Sequence, residues 1–359
     1  MPPERSGGSA GSAMTTLPAP GPVSAEVAGW LRCPRCRARV ERTGEAYHCV
    51  SCGAEYPIVL GIPDFRLRED PLIPLADDYR KGETLELAAE RLGFEELVRY
   101  YWSLPTHPPT PDDLKERFVR HVLTDPGRIE GFSAHLGRGS AFLEVGCGAG
   151  MLVRAAHQWF TTVVGADIGF RWLIVARRGL LEAGLPVNLI CCNAEHLPLA
   201  PGRLDTVAAV SLLEHLPAPD LAIQESARVL VPGGRMFLWT ANRFSLAPEP
   251  HVRVWGVGFL PRRWMPGYVR WRRGLAYEHK RLLSRGELRQ ILRRNGFTET
   301  RFFPPVVTDA DLEQLSGLER LAAQLWRVMR RVPFLWRVIS PVFPVLQVVA
   351  RRKAEARAA

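Results

Sequence analysis

The sequence is poor in three things. It lacks an export leader: residues 1–24, rich in Pro, Gly, Ser and Ala, have neither a basic start nor a continuous apolar core, and they read as a disordered leader. The expected compartment is therefore the cytoplasm, with peripheral membrane attachment as the alternative. It also lacks a clean membrane-spanning run. Val332–Ala350 is long enough, but Arg337, Pro333, Pro341 and Pro344 interrupt it. Finally, the first two thirds lack any basic excess. Residues 1–140 hold 17 basic and 20 acidic groups and residues 141–240 hold 7 and 8, whereas residues 241–359 hold 23 and 9. The net charge of +10 thus belongs to the C-terminal third and suits an anionic substrate, nucleic acid or a membrane surface. At 359 residues and 47% apolar content, the chain can build one large or two modest domains around a proper core.

Cysteine is also sparse, but four of the seven are grouped as Cys33-Pro-Arg-Cys36 and Cys49-Val-Ser-Cys52. Two C-x-x-C knuckles wrap one metal so that four thiolates meet tetrahedrally, the closed arrangement of structural zinc. Two disulfides or a redox site are the competing readings. Nothing marks the chain for an oxidising compartment, and a redox site does not need doubled knuckles.

Ala141–Gly150, AFLEVGCGAG, reads as a buried parallel strand running into a glycine turn, with a helical pattern from Met151. Strand, turn and helix together present backbone N–H groups to a nucleotide-like ligand. A dinucleotide fingerprint would require glycine where Met151 stands. The spacing is instead E-x-G-x-G-x-G, and a second strand, Thr162–Ala166, ends in Asp167, whose carboxylate can accept two ribose hydroxyls.

These motifs, with CCNAEHLPL at Cys191–Leu199 and the block Leu204–Trp239 containing RVLVPGG, resemble the class I S-adenosylmethionine-dependent methyltransferases. The resemblance implies a doubly wound, Rossmann-like α/β fold with a seven-stranded sheet. It further implies that Gly146, Gly148 and Gly150 approach the methionine part of the cofactor, Asp167 the ribose and Asn193 the adenine. Glu144 would support the loop and the cofactor amine, and Cys147, Ile168 and Ala194 complete the cofactor-binding set. The family usually has Asp at the position of Asn193. Gly53–Phe65, after the second knuckle, resembles the zinc ribbon that accompanies some methyltransferases.

The expected organisation is a leader at 1–24, a zinc ribbon at 25–66, a linker and helical cap at 67–137, and a methyltransferase domain at 138–359 with a substrate lid at 242–283. Tyr100, Tyr101 and Trp102 in the cap either line the substrate pocket or simply pack. The lid interleaves Trp255, Trp264, Trp271, Tyr268 and Tyr277 with basic residues that include Arg262, Arg263, Arg272, Arg273 and Lys280. That pattern suits stacked bases with phosphates, or anionic lipid. Ser284 with Glu287 forms a capping box, Phe297–Phe303 reads as the sixth strand, and Phe343–Ala350 as an antiparallel seventh, at the sheet edge or within its hairpin.

Methyl transfer needs a general base only when the nucleophile carries a proton of high pKa. His215 and Glu214, just after the fourth strand, are the catalytic candidates, followed by His251, Tyr277 and His279. The expected acceptor is a small-molecule or lipid-like metabolite. An RNA base is the alternative acceptor, and a non-catalytic zinc-ribbon module that binds a partner is the alternative to an enzyme. The expected cofactors are S-adenosylmethionine and structural zinc.

Overall fold

The computed structural model describes residues 22–105, 110–123, 126–313, 315 and 317–354. Most of the expected leader lies outside the described residues. Its end is built into the fold: the Ser24 hydroxyl accepts from the Val27 N–H at the start of helix α1 (Ala25–Trp30), and the Ser24 N–H donates to Asn188 Oδ1 at 2.8 Å.

After α1 come four short strands, β1 (Val40–Thr43), β2 (Ala46–Cys49), β3 (Glu55–Val59) and β4 (Ile62–Pro63), paired antiparallel in that order. Helices α2 (Leu75–Ala89), α3 (Phe94–Ser103), α4 (Asp112–Leu123) and α5 (Pro126–Leu136) form the cap. The α/β unit then runs β5 (Gly139–Val145), α6 (Met151–Ala156), β6 (Phe160–Asp167), α7 (Phe170–Glu182), β7 (Leu189–Cys191), β8 (Leu204–Val210), α8 (Pro219–Val229) and β9 (Leu230–Ala241). The C-terminal part contributes α9 (Met265–Arg273), α10 (Arg285–Arg294), β10 (Phe297–Phe303), α11 (Asp309–Glu313), α12 (Gly317–Met329), α13 (Pro333–Ile339) and β11 (Val345–Arg352).

The large sheet has the order β10-β11-β9-β8-β5-β6-β7, parallel from β9 to β7, with β11 antiparallel to both neighbours. This is the doubly wound α/β class expected from the sequence. The seventh strand is not at the edge but inside the hairpin of β9 and β10, where Val348 and Ala350 are fully buried. Residues of β5 alternate between the two faces: Leu143 and Val145 pack with α8 and α10, and Phe142 packs with α6 and α7.

The ribbon is not a separate body. Val27, Leu31, Tyr56 and Phe65 share one core with Leu143, Ile223 and Leu288. Leu31 pairs antiparallel with Leu199, the Arg32 N–H donates to the Pro198 carbonyl, and Arg37 pairs with Glu225 at 2.9 Å. Asp64 continues the large sheet beyond β7 by a parallel bridge to Cys191. A boundary at residue 66 therefore divides the sequence but not the hydrophobic core.

The cap covers α7. Gly82 of α2 lets the helices approach, because a Cβ there would stand 2.7 Å from the Phe170 ring. Tyr101 stacks on Trp172 with centroids 3.8 Å apart, and Trp102 stacks on Phe118, so both aromatics are packing residues. The insertion at 242–283 has a small core of its own around Val252, Val257, Met265 and Val269, and it leaves Trp255, Trp264 and Trp271 exposed. Among the described residues no helix is long and apolar enough to cross a membrane, and Val332–Ala350 is divided between α13 and β11.

Candidate functional site

The carboxyl ends of the parallel strands are where an open α/β sheet binds ligands. At the end of β5 the chain turns through Gly146, Gly148 and Gly150, with φ of +75°, +48° and +75°. A Cβ on Gly146 would stand 2.8 Å from Leu212, one on Gly150 2.9 Å from Ala176, while Gly148 faces open space. The turn is locked to β6: the Gly146 and Cys147 N–H groups both donate to the Ala166 carbonyl. Cys147 is buried, and its thiol pKa is pushed well up by that burial.

Asp167 accepts from the Gly148 N–H on Oδ2 and from the Gly169 N–H on Oδ1, each at 2.8 Å. An ionised carboxylate has about four acceptor directions, so one remains on each oxygen. Glu144, one turn of chain before, is buried, and its Oε2 has no hydrogen-bond partner. Burial, and after it the nearby Asp167 carboxylate, push the Glu144 pKa well up, and burial also raises that of Asp167. Two buried carboxyls, one with an unpartnered oxygen and the other only partly offset by Arg171, form a site with acceptor capacity to spare. Glycine turn, Glu144 and Asp167 are brought together as the sequence implied.

Asn193, expected at the adenine, is bonded to the segment that leaves the ribbon. Its Oδ1 accepts from the Leu67 N–H at 2.8 Å and the Arg68 N–H at 3.1 Å, and its Nδ2 donates to the Arg68 carbonyl at 3.0 Å. Both lone pairs of the amide oxygen are thereby occupied by the segment that leaves the ribbon. This fits the departure from Asp: an amide both accepts from two N–H groups and donates to a carbonyl, which an ionised carboxylate cannot do. Ala194 beside it is buried, and the Ile168 carbonyl accepts from Arg66 Nη1 at 3.0 Å.

Arg66 belongs to a buried network that sequence reasoning missed. Asp78, on α2 and fully buried, accepts from Arg66 at 2.7 Å, from Arg171 at 2.8 Å and from the Phe170 and Arg171 N–H groups that begin α7. Asp64 and Asp70 hold the other sides of the two guanidinium groups. Burial pushes the Asp78 carboxyl up, but Arg171 and Arg66 outweigh it and hold it below the usual carboxylate range. The network clamps linker, cap and α7 beside Asp167. No local pattern reveals it, because its members come from residues 64 to 171.

At the end of β8, Glu214 is buried and accepts from the Thr240 hydroxyl at 2.6 Å, while its backbone carbonyl accepts from the Arg281 N–H. This carboxylate, the other catalytic candidate from the sequence, is thus tied to β9 and to the insertion. His215 lies 3.1 Å from His251 between Nε2 atoms and 2.6 Å from Lys280 Nζ through Nδ1, and His251 Nδ1 lies 2.6 Å from Glu249 Oε1. Both ring nitrogens of His215, a catalytic candidate from the sequence, are therefore engaged by Lys280 and His251. Burial, then Lys280 and His251, push its pKa well down. Tyr277 packs in the core of the insertion, and His279 sits in a left-handed turn with φ of +55°. The sequence named the two histidines but not Glu249, and it counted Lys280 only as one basic residue of the lid. Ser211, also missed, is exposed at the end of β8 with φ of +51°.

The four N-terminal cysteines come together as expected, with sulfur atoms all within 4.8 Å of one another. The Cys33–Cys52 and Cys36–Cys49 separations are 3.7 and 3.4 Å. Thiolates at about 2.3 Å around one tetrahedral ion stand roughly 3.8 Å apart. All four are free cysteines, the form in which thiolates ligate a metal.

Residues 143–238 match the family model described as a methyltransferase domain. The ubiquinone biosynthesis O-methyltransferase of Stutzerimonas stutzeri strain A1501 is 33% identical over 157 residues, which are 43% of this chain and 63% of that protein. Its counterpart in Azoarcus sp. strain BH72 is 36% identical over the same shares. The chain thus spans 63% of the length of these curated relatives. Among solved structures, an S-adenosylmethionine-dependent methyltransferase of Mesorhizobium loti gives a TM-score of 0.42 at 21% identity, covering 65% of this chain and all of that one, too distant to inform the chemistry. Residues 143–238 of this chain, which carry the glycine turn and Asp167, are thus similar to a methyltransferase domain.

Proposed function

We propose that the protein transfers the methyl group of S-adenosylmethionine to a small, lipid-like metabolite that it meets at an anionic membrane surface, with a structural zinc in its N-terminal ribbon. The observation that carries methyl transfer is the unpartnered Oε2 of Glu144 beside Asp167, under a glycine turn with open space at Gly148. A ligand bearing both a positive charge and a ribose answers that donor set, and when bound it supplies an electrophilic methyl on a sulfonium. Glu144 would face the charged methionine end, the free acceptor directions of Asp167 the ribose hydroxyls, and Ile168 the adenine face. The adenine amino group would be read by backbone rather than by Asn193.

The lipid-like acceptor is supported by the ubiquinone-pathway names of the relatives and by the shape of the C-terminal third. Leu318, Leu321, Leu325 and Val328 form one exposed stripe of α12 at 84, 51, 54 and 71% exposure, and Phe334 and Val338 of α13 are exposed too. Arg320 and Arg331, exposed in the same segment, add positive charge to these exposed apolar groups, the pairing that anionic bilayers bind. The four-cysteine group suits zinc, which thiolates select.

The test is labelled-methyl transfer from S-adenosylmethionine to an alkylated catechol carried in vesicles of phosphatidylglycerol or of phosphatidylcholine. Labelled product, formed faster with the anionic vesicles and no faster once Leu321 and Val328 are changed to Glu, supports the proposal. Transfer to RNA but not to the catechol would replace it with the RNA reading, and the absence of S-adenosylmethionine binding would end the enzyme reading.

A further inference from the structure

We propose that Lys280 is the base that removes the acceptor's proton, and that His215, His251 and Glu249 form the relay that carries this proton away. The inference rests on the methyl-transfer reading above and adds to it the acceptor atom, a hydroxyl oxygen, and the residue that activates it.

The direction of the chain follows from its ends. An ammonium has only donors and a carboxylate only acceptors. Lys280 therefore donates to His215 Nδ1, His215 carries its hydrogen on Nε2 and donates to His251 Nε2, and His251 carries its hydrogen on Nδ1 and donates to Glu249. With Lys280 donating, no other pair of neutral tautomers satisfies all three contacts. A cation held by Glu214, His215 and His251 would instead take the two facing Nε2 atoms and replace the His215–His251 bond.

Lys280 is the open end of the chain. Glu249 is buried and spends its second oxygen on the His251 and Val252 N–H groups, and His215 has no free nitrogen, whereas Lys280 is half-buried with two further positions on Nζ. The strand-like segment that carries it, 280–283, is tied to the end of β8 by the bond from the Arg281 N–H to the Glu214 carbonyl and to the end of β9 by the Asn242–Leu283 bridge. Both ends belong to the carboxyl edge of the sheet that holds the glycine turn, and Leu212, three residues before His215, is in contact range of Gly146. The groups facing this chain are Glu214 and Thr240 beneath it, Tyr277 beside Glu249, and His251 across from His215. Burial pushes the Lys280 pKa down while Glu249 and Glu214 pull it partly back, with the lowering prevailing.

In the reaction the acceptor O–H gives its proton to the neutral Lys280 amine, and the oxygen lone pair forms the new bond to the methyl carbon. The electron pair of the broken C–S bond stays on sulfur. The proton then passes by exchange through His215, which takes it on Nδ1 and gives up its Nε2 hydrogen, to His251, where the Glu249 carboxylate balances the imidazolium, and is released to water on product departure.

Three variants, Lys280→Arg, Lys280→Met and Glu249→Gln, test this with an alkylated catechol as acceptor. Arginine keeps the charge but cannot act as a base, so Lys280→Arg is expected to lower kcat about 100-fold or more, with unchanged S-adenosylmethionine affinity by calorimetry and little change in KM. The alkaline rise of the wild-type pH–rate profile should disappear with it, and Glu249→Gln should shift that rise. Nitrogen-15 spectra of the histidine rings should show hydrogen on His215 Nε2 and His251 Nδ1, and Lys280→Met should raise the His215 pKa. Near wild-type turnover in Lys280→Arg, hydrogen on His215 Nδ1, or turnover that requires an added divalent cation would each overturn the proposal. If the wild-type protein binds no S-adenosylmethionine, the methyl-transfer reading fails by itself, and the proposal with it. The histidine spectra then still show whether the chain is formed as described.

Discussion

Replacing Asn193 by Asp, the residue usual at this position in the family, tests the tether between ribbon and sheet. In the wild type the side chain is 2% exposed and makes three hydrogen bonds to the Leu67–Arg68 backbone. Aspartate keeps the two bonds to N–H groups and loses the one that amide Nδ2 donates to the Arg68 carbonyl. That carbonyl is left facing a carboxylate oxygen. An unsatisfied buried acceptor costs about 1–3 kcal/mol, and the buried charge adds to it, so Asn193→Asp should lose roughly 2–4 kcal/mol at pH 8. The loss depends on pH with a definite sign. A protonated carboxyl can donate as the amide did, so the introduced group has a folded pKa above its unfolded value. The stability it retains is present at low pH and is lost as pH rises through the folded pKa. Urea denaturation at pH 5 and pH 8 should therefore show a small deficit at the lower pH and a larger one at the higher, changing by no more than about 1.4 kcal/mol per pH unit. A pH-independent deficit, or S-adenosylmethionine binding tightened by the substitution, would refute the tether and return Asn193 to the adenine.

Asp78→Ala should destabilise by about 3–5 kcal/mol in the same assay, because it leaves two buried guanidinium groups and the start of α7 without their acceptor; a loss below about 1 kcal/mol would show that water replaces it. The wild-type stability that Asp78 supplies should be lost on acidification, since its folded pKa is lowered. Glu144 behaves oppositely. Its folded pKa is raised, so it costs stability as pH rises, and Glu144→Gln should stabilise the ligand-free protein at neutral pH while weakening S-adenosylmethionine about tenfold or more; destabilisation with unchanged affinity would contradict the site. Purified protein should release one zinc per chain on thiol modification, and Cys36→Ser with Cys52→Ser should abolish that release and lower stability.

The elements legible in the sequence were those whose reasons are local. The glycine turn, Asp167 at the end of β6, the paired knuckles and the Ser284–Glu287 capping box each lie within a few residues and announce a backbone requirement directly. What was illegible joins distant segments. Asn193 looked like a weakened adenine ligand because its partners lie 125 and 126 residues away. The ribbon looked like a separate domain because its boundary is a linker in sequence, although Leu31 and Phe65 are buried in the core of the large sheet. His215 was noticed for its place after a strand, but its partners Lys280 and Glu249 are supplied by an insertion with no periodic pattern. The position of β11 between β9 and β10 was likewise undetermined, since an antiparallel strand fits an edge or a hairpin equally well until its neighbours are known.

The central claim is that the Gly146–Gly150 turn, Glu144 and Asp167 hold S-adenosylmethionine. Calorimetric titration of the full chain, wild type and Asp167→Ala, measures this most directly. One molecule bound per chain, with affinity falling about 100-fold in the variant through loss of both ribose contacts, is the predicted result. No heat of binding in the wild type, or equal affinity in the two proteins, would contradict it.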